Sequence, residues 1–280
     1  MTLKIVRNIP DLRKQTAKWR SGGLTSAVVP TMGALHRGHI ALVTAGLAHA
    51  DRVVATIFVN PRQFAANEDL GRYPRNETSD LAQLEEAGAH LVFAPRREEI
   101  YPAGFATSIV MEGPAKTGLE DKYRPHFFDG VATIVAKLFT ETQADFAMFG
   151  EKDYQQLLVV GRMARDLDLP IEVIAVPTVR EEGGLALSSR NAYLSRAEHH
   201  QAQALYQILT AAAQKIRGGE NASRATAAAR RSLTTLGFRV DYVAARNAET
   251  LALIKNEDEP KRLLAAAWLG TTRLIDNIAV

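Results

Sequence analysis

Short apolar runs that alternate with helix-like patterns constrain the fold of this 280-residue chain more than any other feature. Strand candidates fall at 27–30, 53–59, 91–94, 145–149 and 171–176. Helix candidates lie between them, at 39–50, 78–87, 131–142 and 154–166. Strands buried on both faces read as nearly continuous apolar runs, and parallel pairing needs a long crossover between neighbours. The fold class expected is therefore α/β, with a Rossmann-like parallel sheet covered on both faces. Leu169-Pro170 ends one helix, and Pro177 closes the strand that follows.

The pattern changes after Pro177. Residues 196–236 are rich in Ala, Gln and Arg and read as two helices divided by Gly218-Gly219. Runs at 239–245, 263–269 and 273–275 then read as strands of a smaller α+β unit. The expected domains are 1–177 and 178–280, in keeping with roughly 150 residues per domain. The chain carries a net charge of only +3 and has no long Lys/Arg run or interleaved aromatic platform, so no nucleic-acid partner is expected. It has no cysteine, which excludes disulfides, thiolate metal sites and cysteine nucleophiles. The N-terminal MTLKIVRNIPDLRK is broken by Pro10 and by charges, and no apolar run reaches the ~18 residues of a membrane span. A cytoplasmic protein with no membrane partner is expected.

Four strings can carry chemistry. The first, Pro30 to His39 (PTMGALHRGH), joins the first strand candidate to a helix start. Gly33 and Gly38 supply bare backbone for close ligand approach, and a helix N-terminus favours phosphate. His36 and His39 placed there can donate to phosphate oxygens as charge moves. Taken alone, H-x-x-H also describes two hydrogen-bonded loop histidines, and no third ligand stands nearby for zinc. The second string is Gly150-Glu151-Lys152-Asp153-Tyr154-Gln155-Gln156, at another strand end. Lys152 offers a compact charge for phosphate, and Asp153 either accepts from ribose or caps a helix. The third is Leu187-Ser188-Ser189-Arg190-Asn191, a phosphate clamp or a plain polar loop. The fourth is Val59-Asn60-Pro61-Arg62-Gln63-Phe64, where Asn60 and Gln63 can bond a small polar substrate. No P-loop, G-x-G-x-x-G or G-x-S-x-G string is present.

In this order the strings resemble the pantothenate synthetase (pantoate–β-alanine ligase) family of the HxGH nucleotidyltransferase superfamily. The resemblance extends through Tyr73-Pro74-Arg75, Glu99-Ile100-Tyr101-Pro102, Ser188 to Leu194 and Ala267-Trp268-Leu269-Gly270…Arg273-Leu274-Ile275-Asp276-Asn277. It implies a cytoplasmic, AMP-forming ligase that joins (R)-pantoate to β-alanine through a pantoyl adenylate, making a coenzyme A precursor. ATP is implied as substrate, with Mg²⁺ held through its phosphates and no protein metal ligand assigned; a homodimer is implied as well. Carried over by position, Met32, Gly33, Ala34, Leu35, His36, Arg37, Gly38 and His39 would form the ATP-binding segment. His39 would donate to the phosphates with His36 beside it, and Lys152 would hold the transferring phosphate. Gly150, Glu151 and Asp153 belong to the same nucleotide site, with Gly150 and Asp153 against the ribose. Val179 would meet adenine, Leu187 would belong to the ATP site, and Ser188, Ser189 and Arg190 would grip the leaving pyrophosphate. Gln63 and Gln156 would orient pantoate, with Asn60 a neighbour.

Two departures stand out. Where the family usually has Arg-Pro-x-His-Phe-x-Gly-Val, this chain reads Arg124 to Val131 with His126 one place early and Phe127 in the histidine's position. Where an Asp-Gly pair is usual, it has Gly183-Gly184, and the lost carboxylate is expected to loosen that loop or remove a cap. A nucleotidyltransferase that stops at an adenylate, a basic nucleic-acid module and an inactive relative are the competing readings.

Overall fold

The computed structural model describes residues 3–65 and 68–280; Met1, Thr2, Ala66 and Asn67, all in the expected first domain, lie outside the described residues. The first part of the chain runs β1 (Lys4–Val6), α1 (Ile9–Ser21), β2 (Ser26–Thr31), α2 (Arg37–His49), β3 (Arg52–Ile57), α3 (Glu77–Glu86) and β4 (Leu91–Phe93). Two short helices, α4 (Arg97–Ile100) and α5 (Glu120–Tyr123), precede α6 (Phe127–Thr142), β5 (Phe146–Gly150), α7 (Tyr154–Asp166) and β6 (Glu172–Val176). The C-terminal part is α8 (Arg196–Arg217), α9 (Ala222–Thr235), β7 (Arg239–Asn247), β8 (Lys261–Leu269) and β9 (Thr272–Ala279).

Strands β1 to β6 form one parallel sheet in the order β1-β4-β3-β2-β5-β6, and β7-β8-β9 form a separate antiparallel sheet. Every strand read from the sequence is present with shifted ends; the last, read as 273–275, extends over Thr272–Ala279. Strand β1 and helix α1 went unread. Pro10 looks like a breaker, yet it stands in the first turn of α1, where its missing N–H costs nothing, and Asn8 caps that turn by accepting from Asp11 N at 2.8 Å. Helix α6 also starts earlier than 131, at Phe127.

Period-two alternation sends the sheet's side chains into two cores. Val28, Val54, Phe93 and Ala147 meet Val131, Val135 and Leu138 of α6 on one face. Ala27, Val29, Val53, Ala55, Val92 and Met148 meet Leu42 and Val43 of α2 and Leu84 of α3 on the other. A third core lies between Leu205, Leu209 and Leu233 of α8 and α9 and Ala265 and Ala267 of β8.

Strand β2 pairs with both β3 and β5, so the strand order reverses there. The crevice past the carboxyl ends of strands at such a reversal is where open α/β sheets bind ligands. One wall is set by Gly130 in α6. Its carbonyl accepts from Asn60 Nδ2 at 3.1 Å, and a Cβ there would overlap the Arg62 carbonyl of the turn that carries Gln63. Backbone cannot swing aside as a side chain can. Gly130→Ala is expected to cost about 1–3 kcal/mol of stability, read as a lower urea midpoint at unchanged m.

Candidate active site

The loop after β2 is built to hold two imidazoles. His36 is the N-cap of α2, and its Nδ1 accepts from Gly38 N at 3.1 Å. His39 Nδ1 accepts from His36 N at 3.3 Å, and the rings lie 4.0 Å apart between centroids. With both Nδ1 atoms accepting, each neutral ring carries its proton on Nε2 and can donate it outward. Burial pushes His36 down to about 4, with the Lys152 charge adding to the effect. Burial also pushes His39 down to about 3, helped by His36 and Lys152. Both rings are thus neutral donors at neutral pH.

Asp80 of α3 shapes this loop and was not read from the sequence. Its carboxylate is 2% exposed and accepts from Ala34 N and Leu35 N at 2.9 and 2.8 Å. The signal was absent because Asp80 lies 46 residues from Ala34 and looks like an ordinary acidic residue in a helix's first turn. The opposite rim closes over the loop: Ser189 Oγ donates to Ala34 O at 3.0 Å.

A cleft of about 880 Å³ collects most of the expected residues. Met32, His36, Gly38 and His39 line it from the β2 side; Gly150, Lys152, Asp153 and Gln156 line it from the end of β5. Val179, Leu187, Ser188, Ser189 and Arg190 line the rim, and Asn60 and Gln63 line the far wall. Gly33, Ala34, Leu35, Arg37 and Glu151 do not line it. Ala34 and Leu35 serve the loop through Asp80, while Glu151 is paired with Arg262 at 3.0 Å. Asp153 makes no side-chain cap bond to α7, which leaves its carboxylate to the cleft, 3.6 Å from Lys152 Nζ.

Asn60 is committed to the protein rather than to a ligand. Its Nδ2 donates to Gln63 Oε1 and Gly130 O, and its Oδ1 accepts from Tyr101 Oη at 2.8 Å. That leaves Gln63 oriented, with its Nε2 3.1 Å from Met32 Sδ. Phe127 lines the cleft beneath the Arg124 guanidinium, 3.7 Å from the ring centroid, while His126 is exposed and turned out of it. The wall there is an aromatic face, with the His126 imidazole outside it.

The segment around Gly183-Gly184 is tied to its surroundings by backbone and side-chain bonds. Val179 O accepts from Leu187 N at 3.0 Å, Arg180 bridges to Ala186, and Arg180 Nη1 donates to Gly184 O at 3.0 Å. Gly184 sits at φ +88, and a Cβ there would run into the Tyr206 ring of α8. A Cβ on Gly183 would overlap the Gln203 amide, so that side chain fills the space an Asp would take.

One buried polar cluster went unassigned from the sequence, although Trp268 and Arg273 were within the resemblance. Arg273 pairs with Glu120 at 2.7 Å and with Asp241 at 2.8 Å, and Tyr242 Oη donates to Glu120 at 2.8 Å. These residues line the cleft's far end and join α5 to the C-terminal sheet.

A family profile described as pantoate-beta-alanine ligase matches residues 4–279. The chain belongs to that family. The chain is 54% identical over 277 residues to pantothenate synthetase 2 of Bradyrhizobium diazoefficiens, covering 99% of this chain and 98% of that one. It is 52% identical over 277 residues to pantothenate synthetase of Rhodopseudomonas palustris, with the same coverage. The crystal structure of pantothenate synthetase from Thermus thermophilus superposes with a TM-score of 0.91 at 47% identity, covering 98% of each chain. A pantoate-beta-alanine ligase from Francisella tularensis, crystallised with beta-gamma ATP and beta-alanine, gives a TM-score of 0.83 at 31% identity, covering 99% of this chain and 97% of that one. As a ligase of this family, the chain performs the ATP-dependent condensation of pantoate with β-alanine. Among the described residues, no helix is long and apolar enough to cross a membrane.

Proposed function

We propose that the reaction runs in two steps within the cleft between the two sheets. A pantoate carboxylate oxygen attacks the α-phosphorus of ATP, and pyrophosphate leaves with the bonding pair. The β-alanine amine then attacks the acyl carbon of pantoyl adenylate, loses a proton, and AMP leaves. Activation is needed because a carboxylate is a poor acyl donor, whereas a mixed anhydride carries a good leaving group. The protein's task is alignment and charge neutralisation.

In this reading the Nε2–H groups of His36 and His39 donate to phosphate oxygens, and Lys152 holds the α-phosphate of the adenylyl group in transfer. Gly150 and Asp153 flank the ribose, Val179 meets adenine, and Ser188, Ser189 and Arg190 grip the departing pyrophosphate. Gln63 and Gln156 orient pantoate, with Asn60 fixing Gln63. Mg²⁺ arrives on the ATP phosphates as part of the nucleotide substrate. The unit 178–280 acts as a lid over 1–177, and the working enzyme is a cytoplasmic homodimer on family likeness. What carries the reading is that the histidine pair, Lys152 and the 188–190 segment, far apart in sequence, line one cleft. The relative crystallised with beta-gamma ATP and beta-alanine supports the nucleotide and amine substrates of this reading.

The test follows the products. With ATP and pantoate alone, one equivalent of enzyme-bound adenylate and pyrophosphate is expected; adding β-alanine releases AMP and starts turnover. Formation of ADP, or AMP release indifferent to any amine, would defeat the reading.

A further inference from the structure

The turn that carries Lys152 is gripped from the other sheet. Asn277 of β9 donates from Nδ2 to the carbonyls of Glu151 and Lys152, at 2.8 and 2.9 Å. Its Oδ1 accepts from Arg262 Nε of β8 at 2.7 Å, which fixes which way the amide faces. Arg262 reaches on to Glu151, Nη2 to Oε2 at 3.0 Å, with its guanidinium 4.0 Å from the Tyr154 ring centroid. Behind them, Asn277 N donates to Asp276 Oδ1, and Asp276 pairs with Arg180 at 2.6 Å. Asn277 and Arg262 are 3% and 8% exposed.

Burying an amide and a guanidinium is costly unless each donor finds a partner, and apolar contact alone would hold two sheets together. What directed bonds add is geometry. One amide contacts two successive carbonyls, so sliding or rotating the turn breaks at least one bond. We infer that Asn277, backed by Arg262, is a positioning residue that sets where the Lys152 ammonium stands, making adenylation depend on the seating of the C-terminal sheet. This rests on the role proposed above for Lys152. The side chain leaves the backbone at the held carbonyls, so a shift of the turn is carried to Nζ. A misplacement of about 1 Å costs up to roughly 10²-fold in rate.

Asn277→Asp keeps the shape but presents oxygen to both carbonyls. Arg262→Lys keeps a cation for Glu151 and loses the donor to Asn277. Each is made in the wild-type and the Lys152→Ala backgrounds, with single-turnover adenylate formation, the KM for ATP and the circular dichroism spectrum as readouts. Each change is expected to lower the wild-type adenylation rate by roughly 10–100-fold while the KM for ATP stays within about threefold. Neither is expected to slow the Lys152→Ala enzyme further, because the path to the phosphate is already gone. A double variant slower than Lys152→Ala by the full single-variant factor overturns the inference, as does a loss confined to KM. If Asn277→Asp does not fold, Arg262→Lys decides by the same comparison. Lys152→Ala adenylating at the wild-type rate overturns the proposed site itself, a separate result.

Discussion

Lys152→Ala is expected to slow pantoyl-adenylate formation by about 10²–10³-fold in a single turnover, while ATP and pantoate binding weaken far less. The reason is the charge inventory of the cleft. His36 and His39 are neutral there, held down to about 4 and about 3 by burial first, then by the Lys152 charge at His36 and by the coupling to His36 ahead of Lys152 at His39. They offer hydrogen bonds but no full charge, and Lys152 supplies an ammonium beside them. Its side chain is only 19% exposed, and its nearest carboxylate, on Asp153, stands at 3.6 Å, beyond hydrogen-bond range. An interaction that strengthens as negative charge gathers on the α-phosphate of the transferring adenylyl group and on the departing pyrophosphate lowers the barrier more than it tightens binding. Rapid-quench measurement of adenylate at saturating substrates checks this, and an unchanged rate would remove Lys152 from the mechanism.

The same neutral histidines make the fold acid-sensitive in a defined window. Both rings have folded pKa values below the ordinary 6.5, so below that pH the unfolded chain binds protons that the folded chain refuses. Stability from these groups is intact above about 6.5 and falls as pH drops toward 4 and then 3. Between pH 7 and 5 the loss is about 2 kcal/mol per histidine. Glu141, whose carboxyl burial pushes up, works in the opposite direction. Comparison with His39→Asn, which keeps an acceptor near the Nδ1 position, cancels that common contribution. Urea midpoints at pH 7 and 5 are expected to fall less in the variant, by the equivalent of about 2 kcal/mol. Equal falls in both proteins would mean that His39 is not held neutral by the fold.

The sequence carried the architecture because its strands are short, apolar and separated by helices, a pattern with few solutions. It carried the cleft because the strings after β2 and β5 lie at strand ends, where the strand order reverses. Roles that depend on distant contacts stayed hidden. Asp80 holding the loop at Ala34 and Leu35, and Asn277 holding Glu151 and Lys152, join residues 45 or more positions apart. Asn60 looked like a substrate donor because an exposed amide after a strand and a buried, saturated one read alike. Helix α1 stayed hidden for a different reason: Pro10 disfavours a helix interior but suits the first turn where it stands. The side chain that packs beside Gly183, Gln203, lies twenty positions downstream and was equally out of sight.

The place of β2 in its sheet also governs how the molecule comes into being. It must meet β5 across a loop that puts Ser26 against Asp145, 119 residues away. Closing so long a loop precedes any reward from the pairing, and contacts of this range slow the search for the native state. The nucleotide cleft is therefore expected to form late in folding, and ATP added to a refolding mixture is expected to raise the yield of native enzyme without raising the refolding rate.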